Sequence, residues 1–382
     1  MVTTTRHNYD SVNDEGPSRQ PRKPTGKAPV RTETLAEKRS RWVMLLRKQI
    51  YLEVINEVLE EELNKYTNNR IFNKANMVMI TTECMLILAS APRVLQAAVE
   101  GVLALRFLVD RELQEEYEEI QRRADVQPSI YVHLLADERG VAPTANQYMV
   151  IRDMALKYII DSHMPDAEIE LIGRIDNASL PSVNIRETSG GYRKYLWTTQ
   201  RSRRRVQVME RFCEGIRKRW LETPVQDLDL PLAHSPGECG YAIHAPRRLL
   251  QHRNHLSSNY VMNLTEDICT VLHRDLKLFP QLFRMHQFII YLIFKPQQAE
   301  IAEMFCSGLL QVWVDNGGGF NHYPAGLSNA SASRVTDREW DEHASAFGGG
   351  GDLMETWMEM ILGGDLGTNR STMRYIMLFI LH

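Results

Sequence analysis

Seven apolar residues in a row, Phe288-Ile289-Ile290-Tyr291-Leu292-Ile293-Phe294, constrain this chain more than any other stretch. β-Branched and aromatic side chains suit a pleated surface, and a run without polar alternation predicts a central strand, buried on both faces, on which a small sheet is centred. Lys295-Pro296 ends it, since proline cannot donate to a further ladder rung. Such a strand needs partners and covering layers. Ser129 to Leu135 reads as a second strand, and Gly240-Tyr241-Ala242 as the end of a short third one before Pro246 opens a helix. The segments 130–135 and 239–243 are expected to pair antiparallel, because each apolar strand needs a neighbour.

The covering layers read as helical. Trp42, Leu45, Leu46, Ile50, Val54, Ile55 and Leu59 recur at three- and four-residue steps. Met77 to Ala89 is nearly all apolar, Ser90-Ala91-Pro92 interrupts it, and Arg93 to Arg123 reads as one long helix. Further helices are expected over Gln147–Ser162, Leu264–Leu272 and Gln297–Val314, with short strands over Glu168–Ile172 and Tyr192–Trp197. The predicted class is α+β, an N-terminal helical bundle followed by a small mixed sheet flanked by helices. Its divisions are a disordered polar tail (1–38), the bundle (39–126), an α+β domain with a basic insertion (127–345), and a Gly-rich linker with a C-terminal apolar element (346–382).

Composition narrows the function classes. A net charge of −3 supplies no global field toward nucleic acid or an anionic membrane, so such binding needs a local patch. The five cysteines lie at least 26 positions apart without a CxxC pair, which disfavours a zinc ribbon and a disulfide-stapled fold. No apolar run reaches 18 residues, and the N-terminus lacks the apolar core of a secretory signal. No membrane contact is expected, and the expected location is nuclear or cytoplasmic. Arg19 to Pro24 reads either as an import patch or as a solvated tail.

Two stretches carry candidate chemistry. In the first, Gly237 to Asn263, Arg248, His252 and His255 stand at i, i+4 and i+7, a cationic helix face suited to a phosphate or carboxylate. The bland alternative is a solvated face with structural histidines. In the second, Arg201, Arg203, Arg204, Arg205, Arg211, Arg217, Lys218 and Arg219 place eight basic residues in 19 positions, beside Tyr192, Tyr195 and Trp197. That pattern suits a nucleic-acid backbone with an aromatic for stacking, or else a solvated face balanced by Glu210 and Glu214. Glu300 and Glu303 open a helix, where acids also complement the dipole. The loop from Asp315 to Asn321 lacks the Lys-Ser/Thr of a P-loop.

The run Ser129-Ile130-Tyr131, then Gly240, then Arg248-Leu249-Leu250-Gln251-His252, a buried strand, an acid-bearing helix and a late Asn resembles the GIY-YIG nuclease module. The resemblance implies a small mixed sheet flanked by helices that cleaves phosphodiester bonds with one divalent metal, Mg²⁺ or Mn²⁺. It assigns Tyr131 to the first motif and Gly240 to the second. Arg248 would steady the scissile phosphate, with His252 one turn on, Glu303 or Glu300 would hold the metal, and Asn316 would be the late asparagine. A tyrosine with a lowered pKa would deprotonate water. Glu238 stands where the second motif's tyrosine belongs, which leaves Tyr241 as the substitute, and the two motif strands lie far apart, so the basic segment would be an insertion. His252 to Leu264 also resembles, loosely, fungal proteins, which implies no activity. The function expected is nucleic-acid binding, with metal-dependent endonuclease activity as its sharper form. The alternative is a non-catalytic interaction protein without a cofactor, using the 40–125 helices as its partner surface.

Overall fold

A computed structural model describes residues 33–66, 69–160, 164–179, 193–198, 200–256, 258–327 and 335–347. The expectations for Arg19–Pro24, the 348–351 glycines and the C-terminal apolar run lie outside them.

Helices α1 (Leu35–Arg47), α2 (Tyr51–Leu63), α3 (Met77–Ala89), α4 (Arg93–Glu100), α5 (Leu103–Phe107) and α6 (Arg111–Arg123) precede strand β1 (Ser129–Ala136). Helices α7 (Ala145–Ile159), α8 (Asp166–Asp176) and α9 (Arg203–Glu222) follow, then β2 (Gly237–Ala242), α10 (Ala245–Arg253), α11 (Tyr260–Arg274), β3 (Arg284–Leu292), α12 (Gln298–Leu310) and α13 (Asp337–Phe347). The architecture is α+β, with α1–α6 ahead of a three-stranded sheet in the order β2-β1-β3, so β1 is the central strand. The run at Phe288 lies on edge strand β3, which ends at Leu292 and is covered by helices, not at the centre where its apolar run placed it. Both ladders are antiparallel, and a parallel bridge joins Gly237 to Gly319.

Local chemistry corrects several expected boundaries. Helix α1 starts inside the supposed tail because Thr34 and Glu37 form a capping box. The first helical run breaks at Gln49, whose φ of 59° no α-helix accommodates. The supposed helix 93–123 is three helices, since Gly101 caps α4 in the left-handed region and Asp110 caps α6 by accepting from the Leu113 amide. Residues 168–172 lie in α8, not in a strand, and 194–196 form a single 3₁₀ turn.

β1 contributes to two cores. Ile130, Tyr131, Val132, Leu134 and Ala136 join a core built from α1–α6, β3 and α12, in which Trp42, Val58, Ile80 and Phe305 are fully buried. Leu135 joins a second core with residues of α7, α8, α9 and α11. The N-terminal helices therefore share a core with the sheet, and the change of character near residue 127 falls inside one packed unit. Among the described residues no single helix is long and apolar enough to cross a membrane. The α3–α4 pair passes that test only together, across a 100° bend.

Candidate functional site

The pairing of β1 with β2 sets Tyr131 opposite Gly240 and His133 opposite Glu238. Residues two apart share a sheet face, so Tyr131, His133, Glu238 and Gly240 stand together, with Gln287 and Ile289 beside them on β3. Pro246 in the first turn of α10 starts the helix that carries His252 onto this face. The Tyr131 hydroxyl lies 3.2 Å from His252 Nε2. His133 Nδ1 is 2.7 Å, and His252 Nδ1 3.8 Å, from Glu238 Oε2. Asn259 Nδ2 donates to Glu238 Oε1 at 3.1 Å.

Burial sets the charge states. It raises the Tyr131 hydroxyl well above the phenol value, the Glu238 charge adds to this, and Arg248 only partly offsets it through charge and hydrogen bonding. Tyr131 is therefore a neutral phenol near pH 7, opposite to the lowered pKa that the resemblance implies. Burial also lowers His252 to about 4, against the pull of Glu238, so this imidazole is neutral. For Glu238, burial works against ionisation, yet His252, His133 and Asn259 bring its pKa down to about 2.

Of the residues singled out from sequence, Arg248 on α10 and Glu303 on α12 both act electrostatically on Tyr131, and both are half-buried. Glu303 Oε2 accepts from the Gly326 amide at 2.9 Å. Glu300, one turn earlier, feels Arg70 instead. Tyr241 pairs with Ile130 and so lies on the opposite face of the sheet from Tyr131, packed against the first core, where it cannot substitute for the missing motif tyrosine. Asn316 is spent in its own loop, donating to Gln311 Oε1 and accepting from the Gly318 amide. Asn321 stands beside β2 in its place, accepting from the Cys239 amide at 3.1 Å and donating to the Cys239 carbonyl at 2.9 Å. His255 lies past the end of α10 and contacts Tyr195 and Glu266 instead.

The basic segment divides. Arg203, Arg204 and Arg217 are exposed, with Arg204 over the Tyr323 ring and Arg217 paired with Glu214. Arg205 donates to the Tyr195 and Trp197 carbonyls, and Arg201 to the Ile159 carbonyl. Arg219 is buried and donates to the Gly317 and His234 carbonyls at 3.0 and 2.6 Å, so it cannot serve a phosphate.

No family model, curated protein or solved structure matches the chain.

Sequence reasoning passed over His133 and the acid role of Glu238. The signal was available. With Tyr131 opposite Gly240 in an antiparallel ladder, two steps along each strand bring His133 opposite Glu238.

Proposed function

We propose that the protein binds nucleic acid and hydrolyses phosphodiester bonds at the Tyr131–Arg248–Glu303 site, as a degenerate relative of the GIY-YIG nucleases. The observation that carries this reading is that Tyr131, opposite Gly240, feels both Arg248 and Glu303, although these come from separate helices. Arg248 follows Pro246 in the first turns of α10, where free amides and the dipole favour an anion, and its fork suits two phosphate oxygens. The Glu303 carboxylate, which also acts on Tyr131, fits a water-rich hard ion such as Mg²⁺ or Mn²⁺. When bound, the ion supplies charge neutralisation at the leaving oxygen. Tyr131, hydrogen-bonded with His252 Nε2, orients a water as a neutral phenol in place of acting as a lowered-pKa base. Exposed Arg203 and Arg204 offer backbone contacts.

Nicking of plasmid DNA with Mg²⁺ or Mn²⁺, run beside thermal denaturation, tests this. Arg248→Lys keeps the charge and loses the fork, so cleavage falls by about 100-fold. Glu303→Gln abolishes metal-dependent cleavage and spares binding. A non-catalytic binding protein is the second reading, favoured by Tyr131 being only 3% exposed. It predicts no nicking by the wild type and a lower melting temperature in both variants.

A further inference from the structure

Three buried polar atoms in the sheet face have no aligned hydrogen-bond partner: His133 Nδ1, Glu238 Oε2 and His252 Nδ1. They point at one another, and one ligand atom from each residue lies within 4.8 Å of the others. The His133 and His252 side chains are 0% exposed and that of Glu238 is 10% exposed. The 2.7 Å approach of His133 Nδ1 to Glu238 Oε2 is short, but both atoms still lack an aligned hydrogen bond.

The far sides of two of the three are held. The Tyr131 hydroxyl lies 3.2 Å from His252 Nε2, and Asn259 donates to Glu238 Oε1. An outer layer that steers the ligands while the inner atoms converge unpaired is the construction of a metal site. Two imidazoles and one carboxylate suit a borderline divalent ion, zinc before magnesium.

We propose that His133, Glu238 and His252 form a buried site for one zinc ion, separate from the hard-cation position at Glu303. The ion pairs the three converging atoms and cross-links β1, β2 and α10. With Nδ1 of His252 on the metal, Nε2 carries the hydrogen and donates to the Tyr131 oxygen, which fixes the Tyr131 ring. The site depends on ligand geometry alone and holds whether or not the chain cleaves nucleic acid.

Metal analysis of the purified full-length chain, before and after chelation and Zn²⁺ re-addition, tests it. The wild type retains one equivalent of zinc, and adding Zn²⁺ to the chelated protein raises the melting temperature by about 5 °C or more. Glu303→Gln keeps that zinc, whereas Glu238→Gln and His252→Gln lose it. Should those variants fail to fold, Co²⁺ loaded into the wild-type chain gives the visible absorption of a site with nitrogen ligands. No stoichiometric zinc and no thermal shift in the wild type overturns the proposal. So does zinc lost in Glu303→Gln, or zinc retained equally in both ligand variants. A failed nicking assay with zinc still bound removes the nuclease reading and leaves this one standing.

Discussion

A methyl group at position 240 would stand 2.5 Å from the Tyr131 hydroxyl and 2.6 Å from the adjacent ring carbon. Gly240 therefore keeps a space that the Tyr131 ring occupies, and with it the hydroxyl that meets His252. Gly240→Ala should destabilise the protein by about 1–3 kcal/mol, since the buried ring must shift. In a Tyr131→Ala background the same substitution should cost much less, and chemical denaturation of the four proteins in that cycle measures the difference. Equal costs in both backgrounds would mean that the ring is not the obstacle. The glycine was legible as part of a short strand. That its neighbours would be His133 and Glu238 required the register.

At the scale of the element, α9 shows why a count of basic residues misleads. Its buried stripe runs Val208, Phe212, Ile216, Arg219, the spacing of one helix face, so Arg219 belongs to the core side. Arg203 and Arg204 at its start are exposed, Arg204 over the Tyr323 ring, and can meet phosphates. Replacing that pair with Ala should lower the log–log salt slope of DNA binding by about 2 units. Arg219→Ala should leave the slope alone and lower stability by about 2–3 kcal/mol, because two buried carbonyls lose a charged donor. Fluorescence titrations at several salt concentrations separate the two effects, and an unchanged slope in the double variant would make the α9 start a plain solvated surface. Helices α4–α6 teach a related lesson: the apolar spacing ran on smoothly, and Gly101 and Asp110 carried the punctuation.

Across the whole molecule, His234 sits where the N-terminal helices meet α9. It is 4% exposed, and Arg39 of α1 and Arg219 of α9 both act on it. Burial first, and then those two cations, lower its pKa from 6.5 to about 2. The folded state thus binds this proton more weakly than the unfolded chain does. The contribution is fully present above about pH 6.5 and is lost as pH falls from there toward 2. Urea midpoints between pH 7.5 and 4.5, taken with chelator present, should show stability falling by roughly 1 kcal/mol per pH unit from this group. A His234→Asn variant should have a shallower slope, and equal slopes would place the acid sensitivity elsewhere.

Short-range chemistry made the strands at Phe288 and Ser129 and the helix that follows Pro246 readable from the chain alone. Each depends on residue type and period, which neighbours in sequence carry. Tertiary structure alone decided that Tyr241 faces away from Tyr131, and that Asn321 rather than Asn316 stands at Cys239. It also decided that Arg219 is structural and that the Tyr131 pKa rises. These outcomes depend on which layer covers a side chain and which charges arrive from distant helices. Desolvation and long-range Coulomb interactions are properties of the packed molecule, and local periodicity carries no record of them.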